Sequence, residues 1–224
     1  MPELSKRILT GSFLLILLAL AFFNVFILIV FLICLLIIGW VEFNGLISKI
    51  FIKKNFKSQF FKFISKVSSL LYLFLFSVFI FEALSQGDVN YKFTMIYLFS
   101  ICICSDIGGF IFGRIFKGKK LTKISPNKTI SGSIGSFVLS LFTVPIFFFI
   151  LSSKTINLYE LIILALVVSL FCQLGDLLIS YLKRRAKVKD TGDLLPGHGG
   201  FLDRIDGILL AIPTGMILLE FLVY

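Results

Sequence analysis

The sequence predicts an all-α membrane helix bundle with about seven transmembrane helices and a cytoplasmic N-terminus. Three observations carry this prediction: the composition, the length of the apolar runs and the placement of the basic residues. The mean hydropathy is +1.04 and 58% of the residues are hydrophobic. This composition leaves too little polar sequence to cover the surface of a soluble domain.

Seven apolar runs each have about the length that crosses a bilayer core, roughly 17–25 residues. They lie near 8–23, 24–47, 67–84, 93–113, 131–152, 158–180 and 207–224. The first two runs are continuous, and at about 1.5 Å per residue one helix over both would be longer than a ~30 Å hydrocarbon core. We therefore predict a break near Asn24.

The basic residues fix the predicted topology. Of the 22 lysines and arginines, 20 fall into four groups, at 6–7, 49–66, 114–128 and 183–204. Seven spans place all four groups on one side, which the positive-inside rule makes cytoplasmic. The same charge also suits acidic lipid headgroups and phosphates. No nucleic-acid partner is expected, because no recognised nucleic-acid-binding fold accompanies the charge.

One membrane domain is predicted over residues 1–224, with N-terminal spans and a basic loop in 1–92 and a half that carries the cytoplasmic motifs in 93–224. The segment 49–66 mixes six lysines with five phenylalanines. That composition is typical of a helix lying in the interface of an anionic membrane, and an ordinary basic loop is the open alternative.

Three polar clusters face the predicted cytoplasm, and the first extends from Asp106 to Gly135. An ionisable residue within a span costs about 2.5–3.5 kcal/mol on insertion scales, so Asp106 is a functional candidate. Ser125, Pro126 and Lys128 are predicted to begin a helix whose N–H groups bind phosphate. The alternative is a glycine face that packs helices, followed by a basic loop.

The second cluster extends from Gln173 to Arg184. Asp176, Ser180 and Lys183 are spaced i, i+4 and i+7, so a helix places them on one face. A carboxylate, a hydroxyl and an ammonium group on one face suit a metal–phosphate site. A purely structural Asp–Lys pair is the alternative.

The third cluster contains Asp203 and Asp206, which are spaced i, i+3 and converge if the last helix begins there. Mg²⁺ is usually held by one or two carboxylates together with phosphates and water, so these two residues and Asp176 are candidate ligands. Stabilisation of a helix start by acidic residues is the alternative. His198, the only histidine, is interpreted as either a hydrogen-bonding loop residue or a contact to a phosphate or base. A zinc site is not expected from one histidine.

No nucleophile–base pair or phosphate-binding G-x-x-x-x-G-K-[ST] loop is present. Phosphoryl and nucleotidyl transfer can proceed without a protein nucleophile, because a metal, cationic side chains and alignment do most of the work.

The segment 180–206 resembles the signature of the CDP-diacylglycerol synthases, also called phosphatidate cytidylyltransferases. The matching positions are Ser180, Lys183, Arg184, Lys189, Asp190, Gly192, Pro196, His198, Gly199, Gly200, Asp203, Arg204 and Asp206. The segments 173–176 and 106–129 resemble the family's other cytoplasmic motifs, and 40–43 resembles a motif near the end of an early span.

The resemblance implies transfer of a cytidylyl group from CTP to phosphatidate at the cytoplasmic face of the inner membrane, with release of pyrophosphate. It implies Mg²⁺ on Asp176, Asp203 and Asp206, an optional second, monovalent cation, and a homodimer. The implied catalytic residues are these three and Lys183. The implied substrate-binding residues are Asp106, Ser125, Lys128, Ser180, Arg184, Lys189, Asp190, His198, Gly199, Gly200 and Arg204.

Three positions depart from the family pattern: Asn127, where lysine is expected, and Ser131 and Ile179, where glutamate is expected. The N-terminal half is also short by a span or two. Two other functions stay open, namely a CTP-dependent kinase of polyprenol or phytol and a non-catalytic membrane scaffold or transporter. Nucleotidyl transfer releases pyrophosphate whereas a kinase releases CDP, and a transporter would more often place its polar residues near the membrane midplane.

Overall fold

The computed structural model describes residues 16–17, 19–52, 55–85, 89–151, 156–194 and 199–223. Helices account for most of these residues. Their bounds are α1 Val25–Ile50, α2 Phe56–Ser85, α3 Val89–Phe116, α4 Ile130–Leu141, α5 Thr143–Leu151, α6 Leu158–Arg185 and α7 Leu202–Val223.

Six stretches of the described residues are helical, long and apolar enough to cross a membrane. They are Val25–Ile50, Phe56–Ser85, Tyr91–Phe116, Ile130–Ile150, Leu158–Arg185 and Leu202–Leu222. The prediction of an all-α, multi-pass membrane protein is confirmed. Most of the first predicted span, 8–23, lies outside the described residues, and the cytoplasmic position of the N-terminus stays a prediction.

The predicted break near Asn24 is confirmed. Residues 19–23 are helical, and Asn24 itself adopts extended backbone angles as the N-cap of α1. Its side-chain oxygen accepts hydrogen bonds from the backbone N–H groups of Phe26 at 2.9 Å and Ile27 at 3.3 Å. Asparagine is among the residues that best satisfy the free N–H groups of a helix start, so the apolar run divides at this residue.

The structure describes residues 49–52 and 55–66 of the basic segment. Helix α1 ends at Ile50, and residues 56–66 form the first turns of α2, which continues without interruption through the next span. Four phenylalanines of these turns are exposed, namely Phe56, Phe60, Phe61 and Phe63. Residues 56–66 are therefore a helical extension of a span, and their position in a membrane interface stays a prediction.

The predicted span 131–152 consists of two helices, α4 and α5, which meet at Phe142. Pro145 explains the division, because proline has no backbone N–H and its ring clashes with the carbonyl of the residue four positions earlier. That carbonyl belongs to Leu141, the last residue of α4.

The chain groups into two compact units, and the prediction of a single domain stays a prediction. The first unit contains Met1–Gln86 and Leu182–Ile205, and the second contains Gly87–Tyr181 and Asp206–Tyr224. In the first unit, α1 packs against α2, and Gly39 leaves room for the side chains of Leu73 and Leu202.

In the second unit, α3 packs closely against α4. A Cβ atom added at Gly132 would lie 2.8 Å from the carbonyl oxygen of Gly109, so only glycine allows this approach. The hydroxyl group of Ser136 donates a hydrogen bond to the backbone oxygen of Ser105 at 2.7 Å across the same contact. The glycines of the first polar cluster therefore pack helices, as one of the two interpretations predicted.

Candidate active site

Helix α6 carries the second polar cluster and ends in a defined turn. The N–H of Val188 donates to the carbonyl of Lys183 at 3.0 Å, and the N–H of Lys187 donates to the carbonyl of Arg184 at 3.2 Å. Lys187 has a φ of 55°. This pair of hydrogen bonds around a left-handed residue is the Schellman motif of helix ends, and it fixes where the signature loop begins.

The first unit holds a group of hydrogen-bonded residues, here called the Asp203 cluster, which consists of Glu42, Lys183, Thr191, Gly200 and Asp203. Lys183 Nζ lies 2.6 Å from Asp203 Oδ1. The other carboxylate oxygen of Asp203 accepts hydrogen bonds from the N–H of Thr191 at 2.8 Å and from the N–H of Gly200 at 3.2 Å. The side chain of Asp203 is only 6% exposed, so it is held rigidly in one orientation.

Glu42 completes the Asp203 cluster, and it was absent from the predicted site residues. Its carboxylate accepts hydrogen bonds from the N–H groups of Phe201 and Leu202 and from the hydroxyl of Thr191, each at 2.8 Å. An acidic residue inside an apolar run was the sequence signal that could have identified it, because such residues are costly in a membrane unless they have partners.

The second unit holds the Asp176 cluster, which consists of Lys128, Asp176 and Ser180. Lys128 forms an ion pair with Asp176, and the two side chains are 25% and 32% exposed. The hydroxyl of Ser180 donates a hydrogen bond to Asp176 Oδ1 at 3.3 Å. The predicted sharing of one helix face by Asp176 and Ser180 is therefore confirmed.

A closed turn positions Lys128. The N–H of Lys128 donates to the carbonyl of Ser125 at 3.1 Å, and the N–H of Leu121 donates to the carbonyl of Lys128 at 2.8 Å. The expectation that a helix begins at Ser125 is wrong. Pro126 occupies the second position of this turn, where its fixed φ is favoured, and α4 begins only at Ile130.

Thr129 is the N-cap of α4, and its hydroxyl accepts a hydrogen bond from the N–H of Gly132 at 3.1 Å. The hydroxyl of Ser131 contacts that of Thr129 at 3.0 Å and donates to the backbone oxygen of Lys117. Ser131, one of the three departures from the family pattern, thus ties the loop to the end of α3.

The other two departures from the family pattern are Asn127 and Ile179. Asn127 is exposed in the turn before Lys128, and Ile179 is 2% exposed within α6. An apolar residue suits that buried position, because a glutamate there would need hydrogen-bonding partners.

Helices α6 and α7 make close backbone contact near Asp206. A Cβ atom at Gly175 would meet the backbone oxygen of Asp206, and one at Gly207 would lie 2.6 Å from Cys172 Sγ. Cys172 Sγ lies in turn 3.7 Å from Asp106 Oδ1. The second unit therefore brings Asp106, Asp176 and Asp206 to one region around this helix contact.

Several predicted site residues lie on the surface of the signature loop and its flanks. Arg184, Lys189, Asp190 and Arg204 are exposed. Gly199 has a φ of +78°, and an added Cβ would lie 3.2 Å from the side chain of Asp190. This glycine is required by both its backbone angle and its close neighbour. His198 lies outside the described residues, as does Pro196.

The carboxylates of the second unit fit Mg²⁺ chemically, because this ion prefers oxygen ligands and usually takes one or two carboxylates beside phosphates and water. Within the part of the chain that the structure describes, no three His, Cys, Asp or Glu side chains form a group that would hold a metal by themselves. Asp176 and Asp206 are the residues of the second unit that would hold the ion beside a nucleotide. The set of three aspartates stays a prediction.

The helices and ion pairs define a multi-pass membrane protein with a carboxylate–lysine pair in each of its two units. The chain belongs to the cytidylyltransferase family, whose model matches residues 4–222. This match confirms the resemblance seen in the signature.

Bacterial relatives support the same family. A phosphatidate cytidylyltransferase of Staphylococcus saprophyticus is 40% identical over 152 residues, which cover 67% of this chain and 56% of the relative. That of Staphylococcus haemolyticus is 44% identical over 126 residues, covering 56% and 48%, and that of Staphylococcus aureus strain COL is 41% identical over 152 residues, covering 67% and 56%. The chain thus matches about half the length of these relatives.

Proposed function

We propose that this chain transfers the cytidylyl group of CTP to phosphatidate, giving CDP-diacylglycerol and pyrophosphate. The observation that carries the proposal is the family match over residues 4–222, together with the name phosphatidate cytidylyltransferase borne by the bacterial relatives. The proposed place of reaction is the cytoplasmic side of the inner membrane, where CTP arrives from water and phosphatidate from the leaflet.

The reaction needs no nucleophile from the protein. An oxygen of the phosphatidate phosphate forms the new bond to the α-phosphorus of CTP, the bond from that phosphorus to the oxygen bridging to the β-phosphate breaks, and pyrophosphate leaves. Catalysis then depends on alignment and on neutralising the phosphate charges.

The Asp176 cluster suits this task. The Lys128–Asp176 pair is partly exposed, and such pairs contribute at most about 1 kcal/mol to stability. Lys128 can therefore leave Asp176 for a phosphate oxygen at little cost. Asp176 and Asp206 would hold Mg²⁺, which when bound neutralises and orients phosphate oxygens. A monovalent cation and a homodimer are further expectations from the family resemblance.

The test uses purified protein in phospholipid nanodiscs that contain phosphatidate, with CTP labelled at either the α- or the γ-phosphate and Mg²⁺ present. Cytidylyl transfer places the α-label in the lipid fraction and the γ-label in pyrophosphate. A lipid kinase given polyprenol or phytol would place the γ-label in the lipid instead and release CDP. Absence of α-label from the lipid, with the protein folded, would overturn the proposal.

A further inference from the structure

Glu42 is a buried carboxylate whose partners all belong to the signature region. The residue is 5% exposed within α1. Its three hydrogen bonds, each 2.8 Å long, come from the N–H groups of Phe201 and Leu202 and from the hydroxyl of Thr191. Hydrogen bonds to an ionised acceptor are about twice as strong as neutral ones, so these donors offset the cost of burying the charge.

The N–H groups of Phe201 and Leu202 form the start of α7. A helix start favours anions because its free N–H groups and the helix dipole point toward them. Here the anion is supplied by the protein itself, since both oxygens of Glu42 are engaged by these groups. The N–H groups of Phe201 and Leu202 are therefore occupied by Glu42 and are not available to a substrate phosphate.

Two signature glycines make room for the same carboxylate. A Cβ atom added at Gly192 would lie 2.7 Å from Glu42 Oε1. One added at Gly200 would first meet Thr191 Oγ1 and the backbone N of Gly192, and would also lie 2.8 Å from Glu42 Oε2. Real Cβ atoms do not approach other atoms so closely, so side chains at these positions would displace the carboxylate. Glu42 thus explains the glycine at 192, and Glu42, Thr191 and Gly192 together explain the glycine at 200.

Thr191 links Glu42 to Asp203. Its hydroxyl oxygen lies 2.8 Å from Glu42 Oε2 and 3.1 Å from Asp203 Oδ2. Its backbone N–H donates to the same oxygen of Asp203 at 2.8 Å. Thr191 therefore cannot move relative to Glu42 without moving the donor that orients Asp203.

We propose that Glu42 is a positioning residue, which holds the signature loop against the start of α7 and through Thr191 orients the Asp203–Lys183 pair. The holding of the loop stands on its own, whereas the effect on turnover rests on the proposed function.

Hydrogen–deuterium exchange tests directly whether Glu42 holds the signature loop. In Glu42→Ala, peptides covering residues 199–204 should exchange at least about 10-fold faster, because the amides of Phe201 and Leu202 lose their acceptor. Glu82→Gln is the matched control, because Glu82 is an exposed glutamate in the same unit, and it should exchange as the wild type does. Unchanged exchange in Glu42→Ala would overturn the proposal.

The turnover rate tests whether Glu42 orients the Asp203–Lys183 pair through Thr191. Loss of a residue that orients an active-site group typically costs about 10–100-fold in activity. We expect kcat to fall by this factor in Glu42→Gln and Thr191→Val, with the KM for CTP within about 3-fold of wild type, because uniform binding is not lost. Thr191→Ser keeps the hydroxyl and should restore kcat.

The outcomes separate the two proposals. Faster exchange with unchanged kcat in an active protein would contradict the positioning role and leave Glu42 a purely structural residue. An inactive wild-type protein would contradict the proposed function, while exchange would still decide whether Glu42 holds the loop. Should Glu42→Ala not fold, Thr191→Val and Thr191→Ser carry the same test.

Discussion

The Asp203 cluster and the Asp176 cluster contain the same pair of groups, a carboxylate and an ammonium, in opposite environments. Asp203 and Lys183 are 6% and 15% exposed, and backbone N–H groups fix the carboxylate. Asp176 and Lys128 are 32% and 25% exposed. The first pair resists a change of partner, whereas the second can exchange partners cheaply.

This difference teaches that similar ion pairs in one protein suit different tasks. The Asp203–Lys183 pair is buried and its carboxylate is oriented by backbone donors. It therefore keeps one geometry, since breaking the pair leaves an uncompensated charge. Under the proposed function, the more exposed pair of Lys128 and Asp176 provides groups that turn to an incoming nucleotide. We therefore expect substitutions in the Asp203 cluster to affect folding and activity together, and substitutions in the Asp176 cluster to affect activity alone.

The largest effect is expected from Asp203→Asn. This change leaves Lys183 buried without its partner charge, so the free energy of unfolding should fall by about 3–5 kcal/mol. Activity should fall by about 10²–10³-fold, as for the loss of a well-placed charge stabiliser. Thermal unfolding in detergent and turnover of labelled CTP measure the two effects.

The control for this change is Asp193→Asn, which alters an exposed aspartate of the same loop. It should unfold and turn over like the wild type. Wild-type stability in Asp203→Asn would show that the Asp203–Lys183 pair does not stabilise the fold.

Lys128→Met and Lys183→Met compare the two clusters directly. Lys128→Met should change the free energy of unfolding by less than about 1 kcal/mol, because the pair it removes is partly exposed, while activity falls by about 10²-fold. Lys183→Met should destabilise by about 3–5 kcal/mol, because it leaves Asp203 buried and unpaired. Chemical unfolding and turnover are measured on both proteins, and equal losses of stability would remove the distinction between the clusters.

A smaller effect is expected from an added methyl group beside Glu42. Gly192→Ala would place a Cβ 2.7 Å from Glu42 Oε1, so we expect a loss of about 1–3 kcal/mol from overpacking. Gly45→Ala is the matched change in α1, where an added Cβ would meet nothing within 4 Å. It should instead stabilise the helix by about 0.5–1 kcal/mol. Thermal unfolding measures both variants. A shift of both unfolding temperatures in the same direction would contradict this prediction.

Local patterns in the sequence predicted the local structure well. The break at Asn24 followed from run length and capping chemistry, and the Asp176–Ser180 hydrogen bond followed from the i, i+4 spacing. The turn at Pro126 was missed because its phosphate-binding interpretation assumed a helix that begins four residues later, at Ile130. Turn chemistry and a threonine cap decide that boundary.

The partners of the carboxylates could not be predicted from sequence patterns. Lys128 reaches Asp176, and Glu42 reaches Leu202 across 160 positions of sequence. Spacing within one helix carries no information on such contacts, because they depend on how separate helices pack. The family signature contains both Asp203 and Lys183, but only the structure gives their ion pair and the hydrogen bonds that orient the carboxylate.

The most direct test of the central claim is lipid labelling from α-labelled CTP in phosphatidate nanodiscs, with wild-type protein and Asp176→Asn compared at matched folded concentration. We predict labelled CDP-diacylglycerol from the wild type and at least about 10²-fold less from Asp176→Asn, with both proteins unfolding at nearly the same temperature. Equal labelling by the two proteins would contradict the assignment of the reaction to the Asp176 cluster.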